Sequence, residues 1–311
     1  VTVSIGPVRV GLGLLDGNEA VGRREFLDSA AAAGIDHVVN WDHVSFRGGW
    51  GTDGLVRSTA DLCLNESIGA YVSVYLLALR HPVLVARQLA SLGEIAPGRL
   101  VLGVGVGGDD RAEVLSAGVD PRTRGRRMDE SLTVLRRLLA GETVTFHGEF
   151  FTLDEVRVLP APAPPIPIVV GGRSDAAVRR AGLLGDGWVG VWCSANRFRE
   201  ATARVDAEAR AAGRSLAGDL HTMQIWAGIG DGALDAEEQV RTGIEGFVKL
   251  PFDGFAKYCA WGDAAAIADY ARPYLEAGCR RFNFVGCSRD PSAAAEVIGE
   301  VAGILRRLGG T

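Results

Sequence analysis

Lysine is almost missing: Lys249 and Lys257 are the only two among 33 basic residues in a chain of 311. With 38 acidic residues the formal net charge is −5, so no basic surface is expected and neither nucleic acid nor an acidic membrane is an expected partner. No run of about 18 apolar residues occurs, so no membrane span is expected. The first residues lack the basic-then-apolar pattern of a secretory signal. Cysteine is scarce: Cys63, Cys193, Cys259, Cys279 and Cys287 are odd in number and contain no Cys-x-x-Cys pair. That excludes a recognisable zinc site or disulfide framework and suits buried thiols in a reducing cytoplasm. The five histidines, His37, His43, His81, His147 and His221, show no metal-ligand spacing. There is no G-x-S-x-G elbow and no Walker lysine motif.

What remains is ordinary for a large core, 47% hydrophobic and 23% charged, with 42 glycines. Strand-like segments are read at Val8–Leu15, Ile35–Trp41, Ala70–Leu77, Arg99–Val104, Ile168–Gly172, Asp186–Trp192, Leu220–Ile229 and Arg280–Gly286. Helices are read at Glu19–Ala33, Arg57–Ser67, Pro82–Ile95, Arg124–Leu139, Asp175–Leu184, Ala195–Ala212, Ala264–Ala277 and Ser292–Leu308. The fourth has Met128, Leu132, Leu135 and Leu139 on one stripe. Two insertions interrupt the rhythm, a hairpin and proline-rich connector at about 143–167 and an irregular stretch at about 230–262. Eight strand–helix units close naturally into a single (β/α)8 TIM barrel, residues 1–311, with a doubly wound open sheet as the alternative.

In a barrel the chemistry sits on loops after the carboxyl ends of strands. Three of these stand out. After strand four comes "GVGVGG", where Gly103, Gly105 and Gly108 formally match the dinucleotide fingerprint. No helix follows at once, the next clear one starting near Arg124, so that fingerprint is discounted. After strand five, "GGRSD" offers the N–H groups of Gly171 and Gly172, the charge of Arg173 and a helix start at Ser174, which suits a phosphate or, equally, a plain N-cap. After strand two, "NWDHVSFRGGWG" places His43 beside Asp42, an imidazole able to move a proton near neutral pH or to serve the core. Phe46, Trp50 and Trp192, with Trp41, could line an apolar pocket or simply pack.

Taken together, "WDHV", "LRHPVLVARQLASLGEIAPGRLVLGVGVGG", "GVDPRTRGRRMDESLTVLRRLL", "GEFFTL", "PIVVGGRSDAAVRRAGLLGDGW" and "YLEAGCRRFNF" resemble the bacterial luciferase-like superfamily, over about Val8 to Phe284. Within it the chain looks most like the branch using coenzyme F420, a deazaflavin carrying a hydride at C5. The resemblance implies an F420-dependent oxidoreductase of a small organic substrate, with an FMN-dependent monooxygenase or a non-catalytic F420-binding protein as alternatives. It implies that Asp42, His43, Ser73, Val74, Gly105, Val106, Gly107, Gly171, Gly172, Arg173 and Ser174 hold the cofactor. It also implies a cis Ser73–Val74 bond in a strand-three bulge, His43 as the catalytic group, and a homodimer. Phe46, Arg47, Trp50 and Trp192 are the expected substrate residues. Two departures stand against glucose-6-phosphate as substrate: Gly108 replaces a glutamate of the sugar-phosphate branch, and Arg47 replaces its tryptophan. Glu113 occurs further along the loop without an assigned place.

Overall fold

The computed structural model describes residues 6–15, 22–108 and 110–310. Residues 19–21, the expected start of the first helix, lie outside the described residues. Eleven strands are present among those described: β1 (Arg9–Leu14), β2 (His37–Asn40), β3 (Gly69–Tyr75), β4 (Leu100–Val104), β5 (Val144–His147), β6 (Thr152–Val156), β7 (Ile168–Gly171), β8 (Gly187–Val191), β9 (Thr222–Gly228), β10 (Cys259–Trp261) and β11 (Arg281–Cys287). The helices are α1 (Arg23–Ala32), α2 (Gly54–Leu64), α3 (Pro82–Ile95), α4 (Arg111–Ser116), α5 (Arg124–Leu139), α6 (Asp175–Leu184), α7 (Ala195–Ala211), α8 (Ala233–Val248), α9 (Ala264–Glu276) and α10 (Pro291–Gly309).

The sheet closes. Parallel pairing runs β1-β2-β3-β4-β7-β8-β9-β11 and back to β1, eight strands in a ring, so the open sheet is excluded. Outward-facing residues of the strands, such as Val10, Leu12, Val72, Leu102, Val170, Ile225 and Phe284, are buried against the helices in the largest apolar cluster. Met128, Leu132 and Leu135 of α5 join it fully, whereas Leu139 is only partly buried and Leu138 takes the inner place.

Three sequence expectations change. The second helix begins at Gly54 rather than Arg57, because Asp53 caps it through Leu55 and Val56 N–H at 3.0 and 3.1 Å. The loop after β4 holds the six-residue helix α4, capped by Asp110 through Ala112 and Glu113 N–H. The stretch 230–262 is not irregular: it carries the sixteen-residue α8 and the short β10. β10 pairs with Trp226–Gly228, beyond the part of β9 that meets β8, so one strand has different neighbours along one edge. The first insertion is the expected hairpin, β5 against β6, followed by a connector with cis Leu159–Pro160 and Ala163–Pro164 bonds.

Inside the ring, His37 is 4% exposed and its Nε2 lies 2.8 Å from Asn283 Oδ1. Gly11, its neighbour in register, has no room for a Cβ beside this imidazole. Burial, with Arg281 adding to it, pushes the His37 pKa down to about 4. The unfolded chain therefore takes up this proton near pH 6.5, before the native state does. Stability is full above that pH, falls as pH drops towards 4, and is level below, a loss of up to about 3 kcal/mol. Urea unfolding at pH 7 and pH 4.5 should show this slope in the native sequence and a shallower one in His37→Gln; equal slopes would contradict the assignment.

Candidate active site

The carboxyl ends of the strands open on a cavity of about 270 Å³. Into it the structure brings Trp41, Asp42 and His43 after β2, Ser73 and Val74 of β3, Gly105 to Gly108 after β4, Gly171 and Gly172 at β7, and Trp192 after β8. The two glycine rims thus face one space. Their bareness has a local cause: a Cβ on Gly105 would lie 2.6 Å from the Val74 side chain, and one on Gly171 2.8 Å from it. Val74 stands between the rims as part of the cavity wall. The Ser73–Val74 bond is cis, as the resemblance implied, and the pairing of β3 with β4 shifts register between Val72 and Tyr75. Gly172 has φ 127°, and a Cβ there would lie 2.8 Å from that of Ala177. A side chain at 172 would move the turn itself.

His43 is fixed by a residue to which sequence reasoning gave no place. Both carboxylate oxygens of Glu113 lie 3.1 Å from His43 Nδ1. Glu113 also accepts from the backbone N–H of Val44 at 2.7 Å and of Ser45 at 3.3 Å, and it is 1% exposed. The short α4 delivers it. The signal was present in the sequence: Asp110 followed three residues later by Glu113 is a capping pattern that marks a helix start. Here Glu113 reaches across to the β2 loop rather than back to the cap. An ionised carboxylate only accepts, so it pairs with the tautomer that carries its proton on Nδ1 and leaves Nε2 as the acceptor.

Asp42 borders the cavity with its carboxylate turned to the fold. Its oxygens accept from Gly54 N–H (2.9 Å), Leu76 N–H (2.8 Å) and the Arg80 guanidinium (2.7 and 2.8 Å), leaving no free acceptor for a ligand. Burial raises its carboxyl above the ordinary range, while Arg80 and the two backbone donors work against that rise. Arg173 and Ser174 do not line the cavity. Ser174 Oγ caps α6 by accepting from Ala177 N–H at 3.2 Å, and the exposed Arg173 guanidinium lies 5.8 Å from the Trp192 ring at the rim. Phe46, Arg47 and Trp50 line an adjoining hollow instead.

Further cavity residues were not anticipated, among them Gln224 and Trp226 of β9 and Phe247 of α8. Gln224 accepts the Ser73 hydroxyl at 2.7 Å. The β9 pair sits inside a segment read only as a strand, and Phe247 sits in a stretch read as irregular, so no local pattern marked them. The indole N–H groups of Trp192 and Trp226 are buried without a protein partner, and Trp192 has φ 50°, a conformation that costs a bulky residue about 1–2 kcal/mol. Among the described residues no group of three or more His, Cys, Asp or Glu is placed to hold a metal, and no helix is long and apolar enough to cross a membrane.

A closed parallel barrel with bare-backbone loops, a bulged third strand and a histidine gathered at the carboxyl mouth defines a TIM barrel whose candidate site lies at the usual end. Its family follows from comparison: the profile of the luciferase-like monooxygenases matches residues 9–299, and the chain belongs to that family. An F420-dependent glucose-6-phosphate dehydrogenase of Nakamurella multipartita is 34% identical over 183 residues, covering 55% of this chain and 53% of the relative. An F420-dependent hydroxymycolic acid dehydrogenase of Mycobacterium tuberculosis is 32% identical over 203 residues, covering 63% and 54%. The chain thus spans about half the length of these curated relatives. An F420-dependent secondary alcohol dehydrogenase, solved in complex with an F420–acetone adduct, superposes with a TM-score of 0.84 at 22% identity, covering 95% and 98% of the two chains, a likeness of fold.

The His43–Glu113 pair is open to direct test. Long-range ¹⁵N NMR should show His43 as the Nδ1–H tautomer, and Glu113→Ala should shift the ring towards a mixture. A pure Nε2–H signal in the unaltered protein would contradict the pairing.

Proposed function

We infer that the protein is a coenzyme F420-dependent oxidoreductase that moves a hydride between the deazaflavin and a small organic substrate at the barrel mouth. One observation carries this reading: two bare rims, on β4 and β7, face a single apolar cavity whose side wall holds an imidazole backed by a buried carboxylate. The F420-dependent relatives support the choice of cofactor, and no feature of the site favours FMN over it.

The residues present fit such a group. A flat ring suits a space bounded by Val74, Val106, Val189, Val191 and Val285, with the amide of Gln224 and two partnerless indole N–H groups as polar points. The exposed Arg173 stands next to Gly172 at one rim, where an anionic tail would leave. When bound, the deazaflavin would supply or accept the hydride at C5. The chain does the rest. Val74 and the glycine rims set the plane in which a reactant lies, and the valine and tryptophan walls keep water out. His43 Nε2 takes the proton of an alcohol being oxidised or returns it to a carbonyl being reduced, while Glu113 holds the ring in place. Gly108 and Arg47 stand where the sugar-phosphate branch carries glutamate and tryptophan, so the substrate is not read as glucose-6-phosphate.

Three measurements test this. In equilibrium binding, F420 should win over FMN; FMN binding tenfold tighter, a difference of about 1.4 kcal/mol, would overturn the cofactor choice. Gly108 lines the cavity, and a Cβ there meets no atom within 4 Å. Gly108→Leu should therefore weaken F420 binding at least tenfold with an unchanged melting temperature, and unaltered binding would remove the β4 rim from the site. Once a substrate is in hand, His43→Ala should lower kcat by roughly 10²-fold or more while F420 still binds.

A further inference from the structure

Beside the main cavity lies a second hollow of about 370 Å³, and the side chains of Leu15 and Phe247 line both. The loop after β2 supplies Phe46, Arg47 and Trp50; α8 supplies Gly243, Gly246 and Phe247, with Lys249 just past its end. We propose that this hollow is the substrate's subsite and that it takes a planar apolar acid, a flat hydrocarbon body carrying a carboxylate. The proposal rests on the oxidoreductase reading and names its substrate class.

The walls are aromatic and arranged for a flat body. Phe46 stacks on His43 at 4.2 Å between ring centroids and on Phe247 at 5.4 Å, and Trp50 stands edge-on to Phe247 at 6.2 Å. Trp50 is 39% exposed, a large apolar face open at the mouth. Among the described residues that line the hollow the charges have one sign: one of the chain's two lysines and an arginine, with no acidic residue beside them. Arg47 gives one guanidinium N–H to the Val248 carbonyl at 2.6 Å and its backbone N–H to Asp110 at 2.7 Å, and neither Arg47 nor Lys249 forms an ion pair among the described residues.

Backbone conformation points to the same place. Four non-glycine residues have positive φ among those described, and Arg47 at 41° and Lys249 at 60° are two of them. Left-handed backbone at side chains of this size is unfavourable and collects at functional sites. It is present on both cations of this hollow. A third case, Trp192, lines the main cavity next door. The anionic group in question is the substrate's, because Arg173, the cation beside the presumed cofactor tail, follows β7, whereas this hollow is built by the β2 loop and α8. A substrate seated here reaches past Phe247 towards His43, whose ring lies 6.1 Å from that of Phe247.

The test uses the full chain, with and without F420, and three probes in calorimetric titration: 1-naphthoate, its neutral counterpart 1-naphthalenemethanol, and inorganic phosphate. Naphthoate should bind at least tenfold tighter than the alcohol. A Cβ at Gly246 meets nothing within 4 Å, so Gly246→Leu should fill the hollow without disturbing the fold and abolish naphthoate binding. Lys249 occupies a left-handed C-cap, where glycine is favoured. Lys249→Gly should bring naphthoate down towards the affinity of the alcohol. Both variants should bind F420 within twofold of the original. Equal binding of the two naphthalenes, naphthoate binding that survives Gly246→Leu, displacement of naphthoate by equimolar phosphate, or no naphthoate binding at all would each overturn the proposal. A protein that ignores F420 yet shows the naphthoate pattern would instead remove the oxidoreductase reading and leave the subsite standing.

Discussion

One buried carboxylate holds the mouth of this barrel together. Asp42 receives the first N–H of α2, the N–H that follows β3 and the two terminal nitrogens of Arg80. Arg80 in turn reaches Asp53, the cap of α2, and lies 4.1 Å from the Tyr75 ring. The ends of two neighbouring strands and the start of a helix are thereby tied at one point, with His43 the next residue along. Breaking such a buried pair by removing one partner typically costs about 3–5 kcal/mol. Here the damage would also free the loop that carries the imidazole. The imidazole is therefore only as well placed as its neighbour is well bonded.

From that knot the site reads outward in layers. Glu113 orients His43 from a helix of six residues, and the same oxygen takes the N–H of Val44, so side chain and loop backbone are set by one acceptor. Val74 occupies the gap between two glycine rims, and those rims are bare because Val74 needs the space. Close packing and ligand access thus make the same demand on sequence at Gly105 and Gly171. This is why neither reading of the glycines, structural or functional, had to displace the other.

The eight barrel strands and most of their helices could be read from the chain because alternation of strand and helix, and the 3.6-residue stripe of α5, are local patterns. The rims and His43 were legible because each sits where a strand ends, whereas the cis Ser73–Val74 bond, inside β3, was expected only from the family resemblance. What escaped depended on the third dimension. Gln224 and Trp226 lie within a strand, and only the tilt of that strand in a closed ring brings them to the mouth. Phe247 lies on α8, whose apolar positions were lost among the five glycines between Gly228 and Gly246. The bonds of Asp42 to two backbone amides and Arg80 were hidden because a carboxylate beside a histidine has the same sequence whether it faces a ligand or the fold.

The split edge of β9 has a consequence of its own. Because β10 continues the ladder where β8 stops, α8 arrives at the mouth with its return path stitched into the rigid wall rather than hanging on a loop. A cover secured in this way can exchange its inward-facing residues while the cylinder beneath stays unaltered. On the proposed function, selectivity for the reactant and the machinery of turnover would be separately heritable: new guests could be admitted by editing one helix face, with the hearth left as it was.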